Sequence, residues 1–303
     1  MQAFLIDSSI YIFRSYFSLP ENWHAPDSGF PTHAVYGFTR FMIDLLRQRQ
    51  PDFIFCAFDE SLHSGFRHQL CADYKSNREL PDDALAFQLN ACRQLCRVLG
   101  VAEMASNTYE ADDLIGSMAG VVREADIQPV IVSRDKDLMQ LIGEQDLYWD
   151  FGKTHPVSQT QLEQKLEIGC SQMVDYLALV GDKSDNIAGV PGVGEKTAKQ
   201  LLSHFPSIDA ILEHLDQLQD LPIRGANKLA DKLLGSSDQM MLARELATIM
   251  TNVETVPTTK NIRWQGIHVQ ALELFTEEMG FGSVFSTRVA DLKHRSMAPM
   301  FRV

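Results

Sequence analysis

Short apolar runs alternate with longer amphipathic stretches through the first half of the chain. The runs "AFLI", "FIFCAF" and "PVIVSR" are rich in aromatic or β-branched residues and end at Asp7, Asp59 and Asp135. Continuous runs of this kind mark strands buried on both faces. Between them, apolar positions recur at helical spacing over Val35 to Arg47, Asp83 to Leu99 and Ala111 to Glu124. The alternation predicts an α/β fold with a mainly parallel central sheet and helices on both faces. In open parallel sheets ligands bind beyond the carboxyl ends of the strands, so the three aspartates are expected to converge. Further along, "VDYLALVGDKSDN" reads as a helix followed by an acidic loop, and "IHVQALELFTEEMGF" as an amphipathic helix.

Composition narrows the class. A chain of 303 residues can bury a substantial core and suggests one large domain or two smaller ones. No apolar run approaches the roughly 20 residues needed to cross a bilayer. The start, "MQAFLIDSSIYIF", lacks a basic leader and is interrupted by Asp7, which points to a cytoplasmic protein without a membrane partner. The five cysteines form an odd count without CxxC spacing. Cys92 and Cys96 share a helical face but have no nearby histidines for zinc, so buried reduced thiols are expected. A net charge of −13 argues against a nucleic-acid partner only if the charges are spread evenly.

They are not spread evenly. "YEADDLIGSMAG" places Glu110, Asp112 and Asp113 at the start of a helix. Helix capping accounts for one or two of these acids, since acids favour the first turn, but not for all three. "SRDKD" adds Asp137 beside Asp135, and "GDKSDN" adds Asp182 and Asp185. Nine carboxylates at strand ends and adjoining turns suit hard divalent cations. Two such ions roughly 3.5–4 Å apart can activate water and stabilise the leaving oxygen of a phosphodiester. Calcium storage is the binding-protein alternative, but the EF-hand pattern is absent. Basic residues for a phosphodiester follow Asp59: Arg67, then Lys75 and Arg78 three apart, which share a face if the stretch is helical.

"GVPGVGEKT" imitates a nucleotide-binding P-loop, yet Glu195 separates Gly194 from Lys196 and breaks the motif. Some other role must require a glycine turn followed by a helix at this point.

The stretches "DSSIYIFRSYF", "AFDE", "FRHQLCADYKSNR", "YEADDLIG", "SRDKDLMQL", "ALVGDKSDNIAGVPGVGEKTAKQLL" and "RGANKLADKL" span roughly residues 4 to 250. In this order they resemble the 5′-nuclease (flap endonuclease) family, most closely the 5′-nuclease domain of bacterial DNA polymerase I. The resemblance implies a two-metal nuclease with a helical arch over its active site. It assigns metal-site roles to Asp7, Asp59, Glu110, Asp112, Asp113, Asp135, Asp137, Asp182 and Asp185. Lys75 and Arg78 match arch residues that contact the scissile phosphate. Arg14, Arg67 and Tyr74 match further DNA contacts. Gly192 and Gly194 match a helix-hairpin-helix that holds duplex DNA with help from K⁺, and Lys196 and Lys199 stand where they add charge.

The resemblance divides the chain into an α/β nuclease domain over 1–165 with its arch at about 60–90, a helical DNA-binding region over 166–255, and an extension over 256–303. It implies a monomer that uses two Mg²⁺ ions, with Mn²⁺ as a substitute, on DNA carrying 5′ flaps or single-strand/duplex junctions. The reaction leaves 5′-phosphate and 3′-hydroxyl ends, by exonuclease or flap endonuclease action. The alternatives are a branched-DNA-binding protein of this fold with weak nuclease activity, and an RNA nuclease on a related metal-binding domain. Ser8 stands where the polymerase relatives carry glycine, and Arg134 where they often carry it before "DKD". An arginine forced to positive φ costs about 1–2 kcal/mol. In the extension, "QALELF" reads as helix core in preference to a sliding-clamp motif, and "LKHRSMAPMFRV" as a disordered end.

Overall fold

The computed structural model describes residues 1–223, 225–285 and 288–289. The elements run β1 (Gln2–Asp7), α1 (Ser8–Ser18), α2 (His33–Arg49), β2 (Phe53–Asp59), α3 (Phe66–Leu70), α4 (Asp83–Val98), β3 (Ala102–Ser106), α5 (Ala111–Glu124), β4 (Gln128–Val132), β5 (Leu147–Trp149) and β6 (Val157–Ser158). They continue with α6 (Gln159–Leu166), α7 (Met173–Val180), β7 (Gly181–Asp182), β8 (Ile187–Ala188), α8 (Glu195–His204), α9 (Ile208–Glu213), α10 (Leu229–Gly235), α11 (Ser237–Ala247) and α12 (Val269–Glu278).

The main sheet has the order β3-β2-β1-β4-β5-β6. Strands β1 to β5 are parallel, and only the edge strand β6 runs antiparallel to its neighbour. The period-2 geometry of a strand explains why its apolar runs are unbroken. Phe4 and Ile6, Ile54 and Cys56, and Val130 and Val132 pack on one face with α2, α4 and α12. Ala3 and Leu5, Phe53 and Phe55, and Ile131 pack on the other with α5. The buried stretches of β1, β2 and β4 are therefore apolar at every position apart from the closing Asp7. The five cysteines are unpaired thiols, with Cys56, Cys92 and Cys96 in the core.

A second core lies among α7 to α11, where Leu177, Leu179, Ala198, Leu201, Leu233 and Met240 are buried together. After Ala247 the chain returns to the sheet. Ile54 N–H donates to the Ile262 carbonyl at 2.9 Å, and Leu272 and Phe275 of α12 are buried against the α2–α4 face. "QALELF" is thus helix core. The end over 292–303 lies outside the described residues.

Residues 60–82 differ from the expected helical arch. The segment forms one short helix, α3, then a series of turns, and α4 begins only after Asp82 caps it by accepting from Leu85 N–H at 2.8 Å. Lys75 takes a left-handed φ of 51° and breaks any helix through it, so Lys75 and Arg78 do not share a helical face. The turns are tied to the loop after α7. Lys75 N–H donates to the Asp185 carbonyl at 2.9 Å, Asn186 Nδ2 to the Asp73 carbonyl at 2.7 Å, and Asn77 Nδ2 to the Lys183 carbonyl at 3.1 Å. Arg134 does not adopt a positive φ, so the expected strain does not arise there.

Candidate active site

The carboxyl ends of β1, β2 and β4 lie side by side, because β1 pairs with both neighbours. Asp7 caps α1, its Oδ1 accepting from Ile10 N–H at 3.4 Å, while its Oδ2 accepts from Ser133 Oγ at 2.8 Å. Ser133 also accepts from Asp135 N–H at 2.9 Å, so one hydroxyl bridges the ends of β1 and β4. Asp59 accepts from Ala111 N–H at 2.8 Å and meets the start of α5, where Glu110 and Asp112 stand. The loop after α7 brings Asp182 and Asp185, both buried, to the same region.

Burial and neighbouring charges act together on these acids. Asp7 is pushed up to about 7 by burial and by the charges of Asp59 and Asp135. Asp112 is raised well above the carboxylate range by burial and by Asp135, Asp7 and Asp59. Asp137 is raised to about 8 by burial, then by Asp135, Asp185 and Asp182. Asp135 is raised by burial and Asp185 despite the Asp137 N–H on its oxygen. Burial would also raise Asp182, but hydrogen bonds from Ser184 and Lys136 outweigh it and hold that carboxyl low.

These groups fit divalent cations. The donors are hard oxygens, Asp137 Oδ1 is buried without a hydrogen-bond partner, and Asp112 makes no hydrogen bond or ion pair among the described residues. No three of the acidic, histidine or cysteine side chains already close around one bare ion among the described residues. Repelling carboxylates hold one another apart, and Mg²⁺ keeps several waters that fill such gaps.

A pH dependence follows. Because burial and neighbouring charges raise Asp7 and Asp137, these two groups hold more protons in the folded chain than in the unfolded one between about pH 4 and 8. Their contribution to stability therefore falls as pH rises through that window. In EDTA the melting temperature is expected to be higher near pH 5 than near pH 8, and Mg²⁺ should restore it at the higher pH. Melting curves insensitive to Mg²⁺ near pH 8 would contradict the assignment of these acids.

Two expected site residues turn out to be structural. Asp113 is fully buried, and its oxygens accept from Arg67 Nη1 and Nη2 at 2.8 Å each, from Glu110 N–H at 2.9 Å and from Met250 N–H at 2.8 Å. It caps α5 and has no free lone pair facing the acids, which corrects its metal role. Arg67, 3% exposed, also donates to the Leu246 and Thr248 carbonyls at 2.8 Å each, so it is a strut and not a DNA contact.

Tyr74 is buried as well. Its hydroxyl bridges Glu110 Oε2 at 3.0 Å and Asp185 Oδ2 at 3.2 Å, which corrects a direct DNA contact to support of two acids. Lys75 Nζ lies 2.8 Å from Glu110 Oε1 and 3.4 Å from Asp185 Oδ2. Burial alone would lower its pKa, but Glu110 and Asp185 hold it charged. Arg78 pairs with Asp185 Oδ1 at 2.5 Å, and its side chain remains 43% exposed. Arg14 is turned to Asp150 at 2.5 Å and to the Phe151 carbonyl at 3.2 Å.

The glycine stretch forms a turn between β8 and α8. Gly192 has φ 81°, Val193 is buried, and Gly194 is the cap residue of α8 without a side-chain hydrogen bond. Lys196 is exposed, whereas Lys199 is engaged by Glu167 at 3.0 Å. A side chain on Gly192 would meet Lys232 Nζ at 2.8 Å, so a lysine from α10 overhangs the turn. Neither Lys232 nor Ser133 was legible as a site residue, because their placement depends on tertiary approach. Lys136, which pairs with Asp182 at 2.9 Å, was hidden between two acids in "RDKD".

Comparison with known proteins agrees with this geometry. The 5′-3′ exonuclease N-terminal resolvase-like domain matches residues 2–167, and the 5′-3′ exonuclease C-terminal SAM fold matches residues 168–270. The chain is 31% identical over 284 residues to DNA polymerase I of Bacillus subtilis, covering 92% of this chain but only 31% of that protein. It is also 31% identical over 258 residues to the 5′-3′ exonuclease of Buchnera aphidicola, covering 85% of this chain and 89% of the relative. In fold it is similar to the bacteriophage T5 flap endonuclease solved with DNA and metal ions, with a TM-score of 0.64, 16% identity, and coverage of 98% and 100% of the two chains. The two domain matches lie end to end across both cores, and the chain belongs to the 5′-3′ exonuclease family.

Proposed function

We propose that the protein is a structure-specific, divalent-metal-dependent 5′-nuclease that hydrolyses DNA at 5′ flaps and single-strand/duplex junctions. The observation that carries this reading is the convergence of carboxylates where the parallel strands β1, β2 and β4 end side by side, with Ser133 bridging Asp7 and Asp135 and Asp59 meeting the start of α5. Asp7, Asp59, Glu110, Asp112, Asp135, Asp137, Asp182 and Asp185 are the residues to hold the metal. Two Mg²⁺ ions bound by them, or Mn²⁺ in their place, supply a water of lowered pKa and charge stabilisation for the leaving oxygen. Ser133 and Tyr74 orient the carboxylates from behind. Lys75 and Arg78 are the residues to grip the scissile phosphate, each exchanging its Asp185 contact for a phosphate oxygen. The test is cleavage of a DNA flap with Mg²⁺ and mapping of product ends, beside an RNA flap. A 5′-phosphate and a 3′-hydroxyl on DNA products are expected; uncut DNA flaps would overturn the reading.

The glycine turn is the residue set to hold the duplex, with Lys196 and K⁺ assisting, and the protein acts as a monomer. Gly194 tests this cleanly, because it already has extended backbone and its added Cβ meets nothing within 4 Å. Gly194→Val is therefore expected to fold and yet to keep a phosphate away from the α8 N-terminus. Duplex-containing DNA should bind more weakly, with a shallower salt dependence, while a short single strand changes little. Unchanged duplex affinity would reduce "GVPGVGEKT" to a turn.

A further inference from the structure

Most cations bordering the carboxylates are already committed. Arg67 is held by Asp113, Lys75 by Glu110 and Asp185, Arg78 by Asp185, Lys136 by Asp182 and Arg14 by Asp150. Arg134 is exposed and makes no hydrogen bond or ion pair among the described residues. Its backbone, in contrast, is fixed from both sides. Ser133 N–H donates to the Trp149 carbonyl at 3.1 Å, Ser133 Oγ bridges Asp7 and Asp135, and Tyr148 donates its hydroxyl to the Asp135 carbonyl at 2.9 Å. Asp135 in turn is tied inward, its Oδ1 accepting from Asp137 N–H at 3.0 Å. The exposed Arg134 side chain therefore starts from a rigid strand end, next in sequence to Asp135, and is paired with no carboxylate among the described residues.

A chain of net charge −13 repels a polyanion except where local cations draw it in. We propose that Arg134 binds a phosphate of the DNA strand passing over the carboxyl ends of β1 and β4, and so sets that strand's register against Asp135. This rests on the nuclease reading above. Arginine suits the task because its planar fork grips two phosphate oxygens at once, which a lysine at the same point cannot do.

The experiment measures flap-DNA affinity at several salt concentrations with Ca²⁺ replacing Mg²⁺, for the wild type, Arg134→Ala and Arg134→Lys, with melting curves for each. Arg134→Ala is expected to weaken binding by about 5–10-fold and to reduce the salt slope by about one, since one phosphate contact is lost. Arg134→Lys should keep the slope and recover only part of the affinity. Unchanged affinity and slope in Arg134→Ala would overturn the proposal. A lowered melting temperature in Arg134→Ala would overturn it too, by making the residue structural. A wild type that fails to bind the flap would instead strike at the nuclease reading itself.

Discussion

Asp135→Asn is expected to remove nearly all cleavage at saturating Mg²⁺ while leaving flap binding largely intact. The exchange keeps the size of the side chain and its acceptor for Asp137 N–H, but deletes one charge from the group formed with Asp7, Asp112 and Asp137. Loss of an outer-shell partner of a metal ligand typically costs about 10–100-fold in activity, and a direct ligand should cost more. Removing a repelling charge should also let Asp7 and Asp137 fall back toward ordinary carboxylate behaviour, so the pH dependence of stability in EDTA flattens. Single-turnover rates on a flap, beside affinities for the same DNA, check the first part. Near-normal turnover would remove Asp135 from the site.

Arg67→Ala is expected to cost about 3–5 kcal/mol of folding stability, because it strands a fully buried aspartate without a cation. Two further carbonyls, those of Leu246 and Thr248, lose their donors at the same time. The double replacement Arg67→Met with Asp113→Leu should recover much of the loss, since no unpaired charge remains. Urea denaturation measures both. A loss below about 1 kcal/mol for Arg67→Ala, the value usual for an exposed pair, would show that the strut is not what joins these segments.

Much of the α/β layer was legible because a buried parallel strand leaves no freedom in its composition. Each of the three runs has both faces covered, so the apolar residues stop where the strand does. Asp7 and Asp59 mark that end in β1 and β2, while Asp135 lies three residues beyond the end of β4 at Val132. The helix from Ala111 to Glu124 was bounded correctly for a related reason: its first turn is capped by acids, and its apolar face is continuous. The roles of the individual acids were less legible. Glu110, Asp112 and Asp113 are alike in sequence, yet their fates differ because Arg67, 46 positions before Asp113, chooses only one of them for a bidentate pair. Tyr74 and Lys75 were matched to DNA contacts, and the turn that buries them depends on a left-handed residue that the sequence does not mark with glycine or asparagine. Capping, expected to account for one or two of the three acids, holds for two of them, since Glu110 and Asp113 form the capping box of α5.

The helical region between Leu166 and Met250 leaves the sheet at one point and returns to it at another. Gln140 grips the segment that follows α11, donating to the Ala247 carbonyl and accepting from Ile249 N–H, both at 3.0 Å. The turns around Lys75 form a third tether through Asp185 and Asn186. A lobe on one linker can swing, whereas a lobe held at three points has little rotation left. Under the proposed function, the span from the glycine turn to the carboxylates would work as a ruler. DNA held at one end would be presented for hydrolysis at a fixed offset, so the position of the cut would follow from the protein's dimensions and not from the bases that happen to lie there.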